Sequence, residues 1–258
     1  MPILALDTSS AVAVAVLDDS GAVLSRGADS GQRRHAEQLA PMIVAALAEA
    51  GVDRRELTAV VAGTGPAPFT GLRVGLVTAR TLALALDVPV WGVSSLDALA
   101  APALRAARER GDDDARVLVV TDARRREVYW ALYRADAVHG GPLDVGPLLG
   151  PGVAHPAQLA ADGVTEGAAL VGRGAVLYAA ELGRVALLTP GAAPTDAAPT
   201  DAAPHDVAPA EAPADPDPAE LGRIALARAA AGVEQPTEPL YLRRPDAVPT
   251  AGGKRVLA

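Results

Sequence analysis

Gly63-Thr64-Gly65-Pro66-Ala67-Pro68-Phe69-Thr70-Gly71-Leu72-Arg73-Val74-Gly75 is the stretch that decides how the chain is read. It follows a short apolar strand pattern, Ala59-Val60-Val61-Ala62, and runs into an apolar helical pattern from Leu72 to Leu86. A glycine-rich turn between strand and helix leaves unpaired backbone N–H groups at the helix start, a ready place for a phosphate or carboxylate. Pro66 and Pro68 stiffen the turn, and Phe69, the only aromatic residue before Trp91, sits in its middle. The competing reading is a tight strand-to-helix connection with no ligand.

The 258 residues suffice for two modest lobes or one large α/β domain. Half of them are apolar but only 3% are aromatic, so the core is built from Ala, Val and Leu. The chain has no cysteine, which excludes disulfides, zinc–thiolate sites and thiol catalysis. Met1-Pro2-Ile3-Leu4-Ala5-Leu6-Asp7 lacks a basic leader, and no apolar run reaches the roughly eighteen residues of a membrane span. A bacterial-type cytoplasm and no membrane contact are the expectations. The formal charge of −8 is unevenly spread. Seven acids lie between Pro190 and Glu220, where no Lys or Arg occurs, and without them the rest carries −1. With no broad basic stripe, the composition is weak for a lone nucleic-acid binder.

Ile3 to Leu6 reads as a buried strand ending in Asp7-Thr8-Ser9-Ser10. Ala11 to Val16 alternates small and branched residues, Asp18-Asp19-Ser20-Gly21 is a turn, and Ala22 to Gly27 returns as a third antiparallel strand. A helix-period stripe of Leu39, Met42, Ile43, Ala46 and Leu47 follows, with Pro41 expected near its first turn and Gly51 as its stop. Gly75, Ala79 and Ala83 form a small-residue stripe on the helix 72–86, suited to ordinary core packing or to a subunit contact. Val88 to Val93 is a strand, and Ser94 caps a helix that ends by Gly111.

A second lobe starts as the first did. Val117 to Val120 ends in Thr121-Asp122, and Arg124-Arg125-Arg126-Glu127 turns into Val128 to Tyr133, which puts Asp7 and Asp122 in matching positions. Val138 to Leu149 adds extended chain, Ala168 to Val171 a strand, and Val176 to Leu182 a short helix. These readings give a first lobe at 1–110 and a second at 111–189 and 219–245. A low-complexity Ala/Pro/Asp insertion at 190–218 is expected to be disordered, and 246–258 to be a flexible tail. Asp217-Pro218-Ala219-Glu220 restarts order as a helix cap.

His35, His139, His155 and His205 are the only histidines, and none pairs with another at helical spacing. Gly-x-Ser-x-Gly is absent, and the sole lysine is Lys254. No catalytic and no metal-binding residues are assigned. The polar turn at Asp7, Thr8 and Ser9 and the glycine turn with Gly65, Thr70 and Gly71 are expected to converge on a cleft. The alternative is that Asp7 and Thr8 merely close the first hairpin. Arg124-Arg125-Arg126 reads as a solvated turn or, failing that, as a small-anion or RNA contact.

Six pieces together resemble the TsaB (YeaZ) family: Leu4 to Ser9, His35 to Ile43, Gly65 to Gly75, Val93 to Leu96, Asp122 to Tyr129 and Pro239 to Arg243. The resemblance implies an α/β fold of two RNase H-like lobes, the actin/Hsp70/sugar-kinase (ASKHA) architecture. It further implies a non-catalytic subunit that activates a TsaD-like threonylcarbamoyltransferase, with help from a TsaE-like ATPase, in forming threonylcarbamoyladenosine at adenosine 37 of tRNA. On that reading tRNA is met through the complex, and the chain forms a homodimer when alone. It has no cofactor of its own, and ATP, ADP and metal sit on the partner subunits. The catalytic relative carries two histidines four apart on the helix where this chain has His35 and Leu39. The partner interface is therefore expected at His35, Leu39, Met42, Ile43, Arg73, Gly75 and Ala79. Asp7, Thr8, Ser9, Gly65, Thr70 and Gly71 are expected to be a vestigial nucleotide turn, weakened by Pro68. The rival is an independent nucleotide-dependent transferase or metallo-glycopeptidase-like enzyme of the same superfamily.

Overall fold

The alternating pattern near the start of the chain builds a sheet buried on both sides. In a computed structural model, which describes residues 1–29, 35–135, 145–183 and 214–243, β1 (Ile3–Asp7) pairs antiparallel with β2 (Val12–Leu17), and β2 with β3 (Val23–Asp29). β4 (Ala59–Gly63) joins β1 in parallel, β5 (Val90–Val93) joins β4, and the sheet order is β3-β2-β1-β4-β5. Period two then sorts the side chains. Leu4, Leu6, Val12, Val14, Val16, Val60 and Ala62 pack with α1 (His35–Ala50) and α2 (Phe69–Leu86). Ile3, Ala5, Ala15, Leu17, Ala59 and Val61 face the other way, toward α3 (Ser95–Glu109) and α7 (Pro218–Ala230).

The second sheet repeats the plan. β6 (Arg116–Asp122), β7 (Val128–Arg134) and β8 (Leu149–Ala154) are antiparallel, and β9 (Ala168–Val171) lies parallel to β6. Its order, β8-β7-β6-β9, matches β3-β2-β1-β4, so Asp7 and Asp122 end corresponding strands. Leu118, Val120, Val128 and Leu132 pack with Leu159 of α4 (Pro156–Ala161), Ala175 of α5 (Arg173–Leu177) and Leu182 of α6 (Ala179–Leu182). Val117, Val119, Ala131 and Tyr133 face α3. Helices α3 and α7 thus form a layer between the sheets, locked by buried ions. Asp97 of α3 accepts from Tyr133 (2.8 Å) and pairs with Arg228 of α7 (2.9 Å).

Several expectations need correction. Residues 219–245 were assigned to the second lobe, but α7 packs on β1, β2, β4 and β5. Its Gly222 lies so close to the sheet that a Cβ there would stand 2.8 Å from Leu17. A helix this small on one side finds its complement in the alanine-rich face of the first sheet, which local sequence does not reveal. Order resumes at Ala214 rather than after 218: Asp215 pairs with Arg173 (3.2 Å), and Asp217 caps α7 through Ala219 N–H (2.8 Å). The rest of the proposed insertion, the Val138–Asp144 stretch, the tail and the side chain of His35 lie outside the described residues. Pro41 stands inside α1, beyond its first turn. Ser94 caps α3 through the N–H two residues on, at Leu96, and not three. Helix α2 starts at Phe69 rather than Leu72, and the expected helix 176–182 is two short ones broken at Tyr178.

Helix α2 is also long and apolar enough, by length and composition, to cross a membrane, contrary to the count of apolar runs. Its Leu72, Gly75, Leu76, Ala79 and Ala83 are buried against the sheet, and its Arg80 binds Thr237 Oγ1 (2.8 Å) and the Thr237 carbonyl (2.7 Å). It is a core helix of this fold. The segment that meets it continues along β5: Gly92 N–H donates to the Gln235 carbonyl (3.0 Å), and Leu240 N–H to the Thr64 carbonyl (2.9 Å).

Candidate functional site

A cleft of about 360 Å³ opens between the ends of β1 and β6. Thr8, Ser9, Ser10, Thr70, Gly71 and Ser95 line one wall; Thr121, Asp122, Arg124, Tyr129 and Arg173 line the other. The two polar turns do converge, as their sequence suggested.

The side of β1 is closed on itself. Asp7 is 1% exposed, and its Oδ1 accepts from the N–H (2.7 Å) and hydroxyl (2.6 Å) of Ser9. Its Oδ2 accepts from the Ser95 hydroxyl at 2.6 Å, and Ser95 Oγ in turn accepts from Gly65 N–H at 3.2 Å. Burial pushes the Asp7 carboxyl above the usual carboxylate range, and the hydrogen bonds from Ser9 and Ser95 only partly oppose it. Gly63 has to be glycine here, since a Cβ would sit 1.9 Å from Asp7 Oδ2.

Thr8 does a related job. Its Oγ1 donates to the Gly71 carbonyl (2.8 Å) and accepts from Gly75 N–H (3.2 Å), the two groups an α-helix ladder would join directly. A Cβ at Gly75 would stand 2.3 Å from that oxygen. The hydroxyl of Thr8 therefore ties β1 into α2, and Pro68, which supplies no side-chain cap, precedes that helix. Of the six residues expected at a nucleotide turn, Asp7, Thr8 and Gly65 are buried in this lock, while Ser9, Thr70 and Gly71 reach the cleft. Ser95, which the sequence offered only as part of a helix start, is the residue that joins the two turns.

The expected partner surface is largely elsewhere. Leu39 (1% exposed), Ile43 (7%) and Ala79 (0%) sit in the chain's own core with Gly75. Met42 is half-buried over Gly27. A stripe at helical spacing marks the face a helix buries, and here that face is used by the sheet. What α1 and α2 present outward is Val44 (67% exposed), Val77 and Leu84 (83%). Of the expected set, Arg73 is exposed; its guanidinium stacks 3.5 Å from the centroid of the Phe69 ring, and its Nε donates to Tyr241 Oη at 2.8 Å. Among the described residues, no three His, Asp or Glu side chains gather in a way that would hold a metal.

Two sheets of one order, sharing a cleft at the ends of their first strands, define the two-lobed RNase H-like architecture of the ASKHA class. Residues 28–170 match the family model described as TsaD, tRNA N6-adenosine threonylcarbamoyltransferase. An uncharacterized protein of Mycobacterium tuberculosis is 39% identical over 251 residues, covering 96% of this chain and 95% of its own length. The tRNA threonylcarbamoyladenosine biosynthesis protein TsaB of Escherichia coli is 34% identical over 172 residues, 65% of this chain and 71% of its own length. YeaZ from Pseudomonas aeruginosa superposes with a TM-score of 0.66 at 31% identity, covering 93% of this chain and 99% of that one. The chain belongs to the TsaB family.

Proposed function

We propose that this chain is the non-catalytic, activating subunit of a tRNA adenosine-37 threonylcarbamoyltransferase, partnered with a TsaD-like catalytic subunit and a TsaE-like ATPase. The observation that carries the reading is the apolar face that α1 and α2 leave in solvent: Val44, Val77 and Leu84 on helices whose inner faces are already filled. Covering such a face with a partner's helices removes apolar surface from water at about 25 cal/mol per Å².

The cleft supports the same reading from the other side. A magnesium–phosphate group at the β1 turn needs a carboxylate with free lone pairs and open hydroxyls. Asp7 spends both oxygens on Ser9 and Ser95, and Thr8 spends its hydroxyl on α2. These residues do not fit a metal–nucleotide of this chain's own, which favours a scaffold over an independent transferase.

Co-purification with the TsaD subunit of the same organism tests the proposal. Leu84→Glu with Val77→Glu is expected to abolish the complex, because burying unpaired charge in a helix–helix contact is strongly unfavourable. The monomer should melt within a few degrees of the parent. An undisturbed complex refutes the assignment of the surface. Tight ATP binding by the isolated chain would favour the transferase reading instead.

A further inference from the structure

The turn between β6 and β7 is strained and adds nothing to the core. Arg124, Arg125 and Arg126 hold φ of +65°, +54° and +61°, left-handed backbone in three successive residues that all carry side chains. Such a run is disfavoured for L-residues and persists only where the surroundings force it. Here they do. Asp122 Oδ1 accepts from Arg124 N–H (2.9 Å), Glu127 N–H donates to the Arg124 carbonyl (3.0 Å), and Arg243 donates to the Ala123 carbonyl (2.7 Å) while pairing with Glu127 (3.1 Å). The result projects three arginine side chains into solvent from one short turn. The Arg124 guanidinium has no hydrogen bond or ion pair among the described residues, and Arg126 has a single long pair, 3.9 Å from Glu181.

An aromatic step lies beside this turn. Tyr241, two residues before Arg243, is 38% exposed, with its ring centroid 4.6 Å from that of Phe69. Arg73 stacks on Phe69 and binds the Tyr241 hydroxyl. Arg173 lines the same cleft as Arg124. In a chain of formal charge −8, six arginines here meet the four carboxylates Asp122, Glu127, Glu181 and Asp215. The chain therefore concentrates cations at one place, interleaved with an exposed ring, although its overall composition is acidic. Guanidiniums alternating with an aromatic platform suit single-stranded nucleic acid, whose phosphates pair with the cations while an unstacked base lies on the ring.

We infer that the β6–β7 arginine turn and Tyr241 form a contact for single-stranded RNA, the turn holding phosphates and the open face of Tyr241 stacking a base. This contact rests on the tRNA-modification role proposed above, and deepens it by giving the subunit a direct hold on the substrate class.

The test uses the full chain, alone and mixed with its TsaD partner, and a fluorescein-labelled RNA hairpin with a single-stranded loop. Arg124→Gln with Arg126→Gln is expected to weaken binding about tenfold near 0.1 M salt and to lower the salt slope by about two, one per lost phosphate contact. Lysine at both positions should restore the slope. Tyr241→Ala should weaken binding about tenfold with the slope unchanged, because stacking carries no counterion release. Ultraviolet crosslinks to the hairpin should map to Tyr241. Equal binding by parent and variants, crosslinks confined to another surface, the same affinity for heparin as for the hairpin, or no RNA binding by either preparation overturns the inference. TsaD retention on the same samples separates the two readings. Retention without RNA contact leaves the activating role and removes this one, whereas RNA binding without TsaD retention does the reverse.

Discussion

The ends of β1 and β6 occupy the same place in two copies of one strand order, and they are used in opposite ways. At β1 the aspartate is buried, every polar neighbour is spoken for, and glycines let strand and helix close on it. At β6 the aspartate holds the backbone of a strained turn, and the side chains after it stand in water. Duplication supplies the frame; whether an equivalent position becomes a lock or a surface depends on what packs behind it. Ser95 and α2 stand behind Asp7, whereas Asp122 meets Tyr178 only at 3.4 Å across the cleft.

If that contrast is right, the first turn tolerates no added atoms. Gly75→Ala and Gly63→Ala should each destabilise by roughly 2–4 kcal/mol, as overpacking into a filled polar site does, read as a loss of midpoint in urea unfolding. For Gly75, Thr8→Ala in the same chain should recover part of the loss, since it removes the atom a new Cβ would strike at 2.3 Å. Near-parent stability in either single variant would break the comparison.

The pH response sharpens it. Burial raises the Asp7 carboxyl, so the folded state holds its proton more tightly than the unfolded chain does. The contribution of Asp7 to stability is then greatest below the ordinary carboxylate range and is lost as pH rises through its folded value. Asp7→Asn removes that dependence. The stability of the parent relative to Asp7→Asn should therefore be higher near pH 4 than near pH 7, measured by thermal melting in matched buffers. A difference that is flat or reversed with pH would place the carboxylate in a more polar setting than the one described.

The second turn should give the smallest effect, and of opposite sign. Arg124→Gly relieves left-handed strain at about 1 kcal/mol while adding unfolded-state freedom of similar size, so stability should stay level or rise by up to about 0.5 kcal/mol. A clear loss would mean that the Arg124 side chain braces the turn.

Sequence alone showed the parts whose cause is local. The α7 cap at Asp217-Pro218, the glycine stop after α1 and the duplicated strand–aspartate–turn all follow from residues a few positions apart. It failed where the deciding neighbour is distant. Leu39 and Ile43 looked like a surface because a metal ligand was missing, yet a stripe at 3.6-residue spacing belongs to whichever layer covers it, and the first sheet covers this one. Val44, Val77 and Leu84 stand singly among polar or small residues, so no periodic signal announces them. Asp7 and Thr8 were recognisable as site-like polar residues. That their oxygens are consumed by Ser95 and α2, from residues more than sixty positions away, is a property of the assembled fold.

The run from Gln235 to Leu240 along β5 bears on the order in which the molecule can be made. Gly92 and Thr64, near the outer edge of the first sheet, hydrogen-bond to residues from the far end of the described chain. Until those residues leave the ribosome, β5 is an uncovered edge that other strands could pair with. Domains generally form as units from the N-terminal side during synthesis, but this sheet begins with Ile3 and is sealed only when Leu240 arrives. The lobe that is translated first is therefore the lobe that is finished last.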